Sequence, residues 1–506
     1  MAAAINRPAI TACVMLAAIM QVLDTTIANV ALPYMQGTLS ASQDQINWVL
    51  TSYIVAAAIM TPPTGWLAQR FGRTRLFLSA VAGFTLASAL CGLAQSLEQM
   101  VLFRLFQGVF GASLVPLSQA VLLDINPREK QGQAMAIWGV GVMVGPILGP
   151  TLGGWLTQNY DWRWVFYMNI PIGILTFFGI ATFLPETRRG QAGRFDWFGF
   201  GMLSIGIGAL QLLLDRGEQL DWFGSTEIIV EAVIAALGFY LFLVQLLTGE
   251  RPFVSLRLFK DRNFVIGITF IFAVGIILLA TLALLTPYLQ TMMGYPVLDA
   301  GMVLAPRGGG TMLAMLLAGR ASGRIDTRIV IFSGLVITAH ALWQMTGFTP
   351  DISQATIIVT GFEQGLGLGF VFVPLTTLTF STLTAELRTE GTGIYALCRN
   401  IGSSIGISVV MTLLEDDIQR NHAEIAHYVT PFNRLFQSGA AGTLWNPLTL
   451  GGRAALDGAI TQQAAIIAYV DDFKLMMLIA LAVIPLTLLF RQPKQAAVAA
   501  HPAVLE

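Results

Sequence analysis

Ionised side chains are scarce in this chain: Lys, Arg, Asp and Glu make up 11% of its 506 residues, against about a quarter in an average soluble domain. With 55% hydrophobic residues and a mean hydropathy of +0.69, that scarcity excludes a soluble protein and indicates an integral membrane protein. Neither sign of charge dominates, with 28 basic and 29 acidic residues, so nothing points to a nucleic-acid partner. Cysteine is rarer still. Cys13, Cys91 and Cys398 all fall in apolar runs, which excludes a disulfide framework and a CxxC or Cys/His metal pattern. The histidines His340, His422, His427 and His501 are scattered, and the 422/427 spacing fits one helical face poorly, so neither a metal nor another cofactor is expected. A Ser/His/Asp set, an HExxH motif and a Walker-type phosphate loop are also missing, and an enzyme is not expected.

What the chain does have is long apolar runs. Stretches of about 20 apolar residues occur near 9–32, 47–67, 76–95, 98–122, 133–156, 164–184, 196–214, 225–248, 263–287, 299–319, 328–347, 354–380, 390–413 and 472–490. The first is too long for a signal-peptide core and is read as a retained span. These runs predict an all-α polytopic protein of about fourteen transmembrane helices, an even number that returns both ends to one side.

The arginines and lysines decide which side. Arg7, Arg70, Arg73, Arg75, Arg128, Lys130, Arg188, Arg189, Arg194, Arg251, Arg257, Lys260, Arg262, Arg320, Arg324, Arg328, Arg388, Arg491 and Lys494 fall in segments on the side of the N-terminus. The opposite short loops offer only Arg163 and Arg216, so the positive-inside rule makes both termini cytoplasmic. One connection is long. Residues 414–471 are rich in Asn, Gln, Gly and Ala and are expected to form an external loop that contacts a partner, or else a tolerated insertion.

The chain repeats itself. "RLFQGVFGASLVPLSQ" in the fourth run and "GFEQGLGLGFVFVPLTT" in the twelfth share a Gln-Gly pair followed by Pro-Leu and a hydroxyl residue. "GPILGP" and "NIGSSIG" pair the fifth run with the thirteenth, and "GWLAQR" and "GRASGR" pair the second with the tenth. An offset of about eight runs gives a 6+2+6 partition: a first bundle over 1–190, two extra helices over 191–255 and a second bundle over 256–506. Duplicated membrane halves suit a transporter, whose substrate binds where two rocking bundles meet.

Five charges lie inside runs: Asp24, Arg104, Arg307, Glu363 and Arg399, with Glu231 nearer a helix end. A charge at the centre of a span costs at least ~3 kcal/mol, so each is expected to face a cavity or a partner. Depth alone suggests pairing Asp24 with Arg104, and Glu363 with Arg307 or Arg399. Such groups either fix helix register as structural ion pairs or carry a proton in one conformation and release it in another. The stretch 139–154, "GVGVMVGPILGPTLGG", spaces Gly141, Gly145, Gly149 and Gly153 by four on one helical face, a pattern for close packing or, with Pro146 and Pro150, for a hinge.

"LDTTIANVALP", "GWLAQRFGRTRLFL", "RLFQGVFGA" and "GVMVGPILGPTLGG", in this order, resemble the motifs of the fourteen-span drug:proton antiporters of the major facilitator superfamily. The resemblance continues through "DRGEQLDWFGS" to "YALCRNIGSSIG", nearly the whole chain. It implies the major facilitator fold, alternating access and export of hydrophobic compounds from the bacterial inner membrane, driven by the proton gradient without another cofactor. It assigns proton coupling to Asp24 and Arg104, with Glu363 as a further candidate from its burial. It places Gly141, Gly145, Pro146, Gly149, Gly153 and Gly154 in the antiporter motif, and Gly65, Arg70, Gly72 and Arg73 in a cytoplasmic gating loop. That loop departs from the family in carrying Gln69 where an acidic residue is usual, which weakens the expectation of a charge-based lock. Relatives of this kind work with a periplasmic adaptor and an outer-membrane channel, which would give residues 414–471 a docking role. The alternatives are a dedicated exporter of fatty acids, lipids or an endogenous metabolite, and a sensor or assembly subunit that moves nothing.

Overall fold

The computed structural model describes residues 6–186, 193–250, 252–322, 324–430, 445–446 and 449–491, and every regular element among them is helical. Of the positively charged markers, Arg188, Arg189, Arg251 and Lys494 lie outside the described residues. Helices are what the composition demands, because an apolar segment in hydrocarbon must satisfy its backbone groups internally. The sparse polar residues between runs start the helices. Asn6, Ser96, Asp196, Asp261, Asp326, Ser353 and Thr449 each accept a backbone N–H from the first turn that follows them.

In chain order the N-terminal helices are α1 (Arg7–Thr38), α2 (Gln43–Ile46), α3 (Trp48–Met60), α4 (Thr64–Phe71), α5 (Arg73–Leu93), α6 (Leu97–Gly111), α7 (Leu114–Ile125), α8 (Arg128–Asn159), α9 (Trp164–Tyr167) and α10 (Asn169–Phe183). Then come α11 (Trp197–Arg216), α12 (Thr226–Thr248) and the short α13 (Leu256–Lys260). The C-terminal helices are α14 (Arg262–Pro287), α15 (Val297–Ala321), α16 (Thr327–Met345), α17 (Gln354–Phe380), α18 (Ala385–His427) and α19 (Leu450–Val483). Among the described residues thirteen helical stretches are long and apolar enough to cross a membrane, and Trp48–Met60 is a shorter apolar helix beside them.

Three expectations are modified. The run at 47–67 breaks into α3 and α4 at Pro62 and Pro63, where missing donors interrupt the ladder. The run at 98–122 breaks into α6 and α7 at Ala112 and Ser113. The segment 414–471 is no simple loop: α18 has 43 residues and α19 has 34, so both continue far past the bilayer. At about 1.5 Å per residue α18 is about 64 Å long, roughly twice the hydrocarbon thickness. The two extensions pack on each other, with His422 Nε2 3.0 Å from Asp457 Oδ1. Residues 431–444, 447 and 448, between them, lie outside the described residues.

The helices pair as α1 with α8, α3 with α6, α14 with α18 and α15 with α17. Helices α11 and α12 pack mainly on each other and reach the rest through α11, against α3 and α18. Their free side is apolar, with Ile229, Val233, Leu237 and Tyr240 of α12 exposed as a lipid-facing surface requires. Contacts between the N- and C-terminal helices run along α8 and α15 from Gly132 and Ser322, at the arginine-rich end, to Ile147 and Gly308 near mid-helix. Beside this seam Trp138 of α8 stacks on Phe372 of α17, ring centroids 6.4 Å apart.

Candidate transport site

Asp24 lies midway along α1 and is 1% exposed. Arg104 of α6, fully buried, donates from Nη1 to Asp24 Oδ2 at 2.7 Å and to Gln107 Oε1 at 2.8 Å. Gln107, one turn further along α6, donates from Nε2 to Asp24 Oδ1 at 2.8 Å. Asn169, the first residue of α10, donates to the same Oδ1 at 2.8 Å and to Ser88 Oγ at 2.9 Å. The guanidinium also donates from Nε to the Val49 carbonyl, 3.1 Å, and lies 4.4 Å from the centre of the Tyr53 ring. Residues of five helices, α1, α3, α5, α6 and α10, thus join one buried network around the Asp24 carboxylate. Sequence reasoning finds the Asp24 and Arg104 pair but misses Gln107, Asn169 and Ser88. The signal for Gln107 is its i,i+3 spacing from Arg104, which puts both on one face.

Gly141, Gly145, Gly149 and Gly153 of α8 face α1 beside this network. A Cβ added to Gly145 would lie 2.7 Å from Val22 Cγ1, one at Gly149 2.2 Å from Thr26 Oγ1, and one at Gly141 2.4 Å from Met15 Cε. Gly153 meets Ile27 at 3.2 Å, whereas Gly154 has open space around it and Pro146 is exposed. Thr26 Oγ1 donates across the seam to the Gly145 carbonyl at 3.2 Å, so the backbones of α1 and α8 touch within a turn of Asp24.

A second polar assembly closes the arginine-rich end. Asp124, at the end of α7, accepts from Arg73 at 2.5 Å and from Arg388 of α18 at 2.8 Å. Arg73 also donates to Thr389 at 3.0 Å, and Arg388 to the Leu123 carbonyl at 3.3 Å. Gly72 takes φ +90°, a left-handed conformation that suits glycine, and turns the chain from α4 into α5 so that Arg73 points inward. Gly65 lies so close to α18 that a Cβ would fall 2.6 Å from Glu390 Cα. Gln69 and Arg70 make no side-chain hydrogen bond or ion pair among the described residues. A charge-based clasp between N- and C-terminal helices therefore exists despite Gln69, because Asp124 supplies the carboxylate.

The expected pairing of Glu363 is corrected. Glu363 binds His340 Nδ1 at 2.5 Å and Gln344 Nε2 at 2.9 Å, both on α16, rather than Arg307 or Arg399. Its position on α17 points it toward α16, on the side away from the α15 contact made by Gly361 and Gly365. Arg307 instead donates to the Leu278 carbonyl at 2.9 Å, and Arg399 reaches Asn400 Oδ1 at 3.4 Å.

Residues 14–407 match the family described as Major Facilitator Superfamily. The fatty acid resistance protein FarB of Neisseria gonorrhoeae is 37% identical over 480 residues, covering 94% of this chain and 95% of that protein. The multidrug export protein EmrB of Escherichia coli (strain K12) is 39% identical over 420 residues, covering 83% of this chain and 82% of that protein. Among solved structures, the human organic anion transporter MFSD10 (TETRAN) superposes with a TM-score of 0.61 at 14% identity, over 94% of this chain and 99% of that one. The proton:xylose symporter XylE superposes with a TM-score of 0.60 at 13% identity, over 93% of this chain and 94% of that one.

Proposed function

We propose that this chain, which belongs to the Major Facilitator Superfamily, is a proton-driven exporter of hydrophobic and amphipathic small molecules that works by alternating access. The observation that carries the reading is the buried Asp24, Arg104, Gln107 and Asn169 network: an ionisable group inside a span, fully hydrogen-bonded, against the glycine seam of α1 and α8. A carboxylate so placed binds a proton in one conformation of the seam and loses it in the other, and a ligand that favours one conformation is thereby linked to proton movement. The contacts between N- and C-terminal helices concentrate toward the arginine-rich end, which is the arrangement of a transporter closed on that side. Bundles over 1–190 and 256–506, with 191–255 as two additional helices, would be the rocking units. The arginine bias supports termini on the cytoplasmic side, and the family resemblance supports a bacterial inner membrane. The extensions of α18 and α19 would then project outward, where a periplasmic adaptor leading to an outer-membrane channel would dock.

The test is drug-induced proton release from energised everted vesicles, comparing wild type with Asp24→Asn at equal expression. Release in wild type that vanishes in the variant is expected; equal release from both would remove Asp24 from the coupling path. A second reading, a dedicated exporter of fatty acids, is favoured by the 37% identity to FarB over 94% of the chain, and profiling export of fatty acids against cationic drugs separates the two.

A further inference from the structure

A cleft at the end of the molecule opposite the arginine clasp lies outside the Asp24 network. It opens between the start of α3 and the end of α11, with a volume of about 280 Å³, and Asn47, Trp48, Thr51, Asp215, Arg216 and Gln219 are among its walls. Deeper in the span the same two helices meet through apolar groups, Gly208 of α11 against Val55 and Ile59 of α3. The seam therefore turns from apolar to polar as it nears this end. Trp48, exposed in the cleft wall, and Trp222, in the turn after α11, put the cleft at the level of lipid head groups, where indole rings settle.

Asp215 is the acid of this cleft. Its Oδ2 accepts from the Thr51 hydroxyl, and among the described residues it forms no ion pair. Arg216, its neighbour in sequence, is committed elsewhere: it pairs with Glu227 of α12 and lies 3.8 Å from Glu231 of the same helix. Its guanidinium is also 6.0 Å from the centre of the Trp48 ring. One cation thus answers three carboxylates, and the local balance is negative. A phosphate or carboxylate is disfavoured here. An ammonium group is suited, because Asp215 offers a charged acceptor, the Trp48 ring attracts a cation to its face, and the Asn47 and Gln219 amides accept hydrogen bonds.

We propose that this cleft binds the ammonium head group of a membrane lipid, an ethanolamine phospholipid, and that the lipid joins the two additional helices to α3. The ammonium sits against Asp215 and Trp48, and the acyl chains continue past Ile54, exposed one turn further into the span than Thr51. A lipid is favoured over a free ammonium compound because polar cleft and apolar exposed helix follow one another at the depth where head group and acyl chain do. Helix α3 carries the Asp24 network as well: Trp48 and Thr51 line the cleft, while the Val49 carbonyl and the Tyr53 ring hold Arg104. An occupied cleft fixes the helix against which Arg104 rests, so the lipid biases the balance between conformations. The site is independent of what the chain exports.

The test is native mass spectrometry of the full chain in detergent, titrated with phosphatidylethanolamine, its N-acetylated form and phosphatidylglycerol, all with the same acyl chains. Each carries the phosphate, and only the first carries an ammonium. Wild type is expected to bind the ethanolamine lipid at least about tenfold more tightly than the other two. Asp215→Asn and Trp48→Leu are expected to lose that preference, whereas Glu98→Gln, which removes an exposed acid at the same end of the molecule, keeps it. Equal binding of the three lipids by wild type, or a preference undiminished in Asp215→Asn, overturns the proposal; the wild-type comparison decides even where a variant fails to fold. Displacement of the lipid by an equal concentration of soluble glycerophosphoethanolamine also overturns it, since the site would then answer to a free ammonium compound. Proton release has no part in this readout, so the exporter reading and the lipid site stand or fall separately.

Discussion

Asp24 accepts hydrogen bonds from Arg104, Gln107 and Asn169, all between 2.7 and 2.8 Å, and every member of this set is buried. A buried pair contributes little net stability, but removing one partner leaves an uncompensated charge that costs about 3–5 kcal/mol. Arg104→Gln is therefore expected to lower the melting temperature markedly and to abolish transport. Adding Asp24→Asn should restore most of the thermal stability, since the orphaned charge is gone, without restoring proton release. A double-mutant cycle of melting temperature against vesicle proton release checks this, and a double variant as unstable as Arg104→Gln alone would deny the pair its charge coupling. Depth along the runs is enough to bring Asp24 and Arg104 together from sequence. It is not enough for Glu363, because depth says nothing of the face a residue takes, and Glu363 sits a residue away from the position equivalent to Gln107.

At the scale of the helix, α8 touches α1 through glycines because the two backbones approach closer than any side chain permits. Gly149→Leu places a Cβ at 2.2 Å from Thr26 Oγ1 and branches beyond it, so α1 has to move and take Asp24 with it. The expected outcome is at least about a tenfold loss of transport, since overpacking of this kind costs ~1–3 kcal/mol. Gly154→Ala, with nothing within 4 Å, is the control and is expected to transport as wild type. Drug export at matched membrane expression checks both, and equal loss in the two variants would mean that the glycines matter for something other than the α1 seam. The four-residue glycine spacing makes this face legible in the sequence itself. Helix breaks at Pro62, Pro63 and Ala112 are less so, since an apolar run reads the same whether its backbone is continuous or not. The extensions of α18 and α19 escape sequence reading for the converse reason: a polar amphipathic helix beyond the bilayer has no hydropathy signal and reads as loop.

Across the whole molecule, Asp124 ties Arg73 of the N-terminal helices to Arg388 of α18 at the arginine-rich end. Both pairs are mostly shielded from water, so this clasp weights the balance between conformations rather than the stability of either half. Hydrogen bonds to a charged group contribute about 1.5–3 kcal/mol each, and losing one shifts a two-state population by about tenfold to a hundredfold. Asp124→Asn keeps the side chain's shape and removes its charge, and is expected to populate a conformation opened at this end. Spin labels on cysteines replacing the exposed Arg70 and Glu386, in a chain with Cys13, Cys91 and Cys398 replaced, report the separation of α4 and α18 directly. A longer distance gaining population in Asp124→Asn, together with slower export because the return stroke no longer re-forms the clasp, is the expected result. An unchanged distance distribution would show that the glycine contacts of α4, α8 and α15 alone keep this end shut, with Gly65 against Glu390 as the next position to alter.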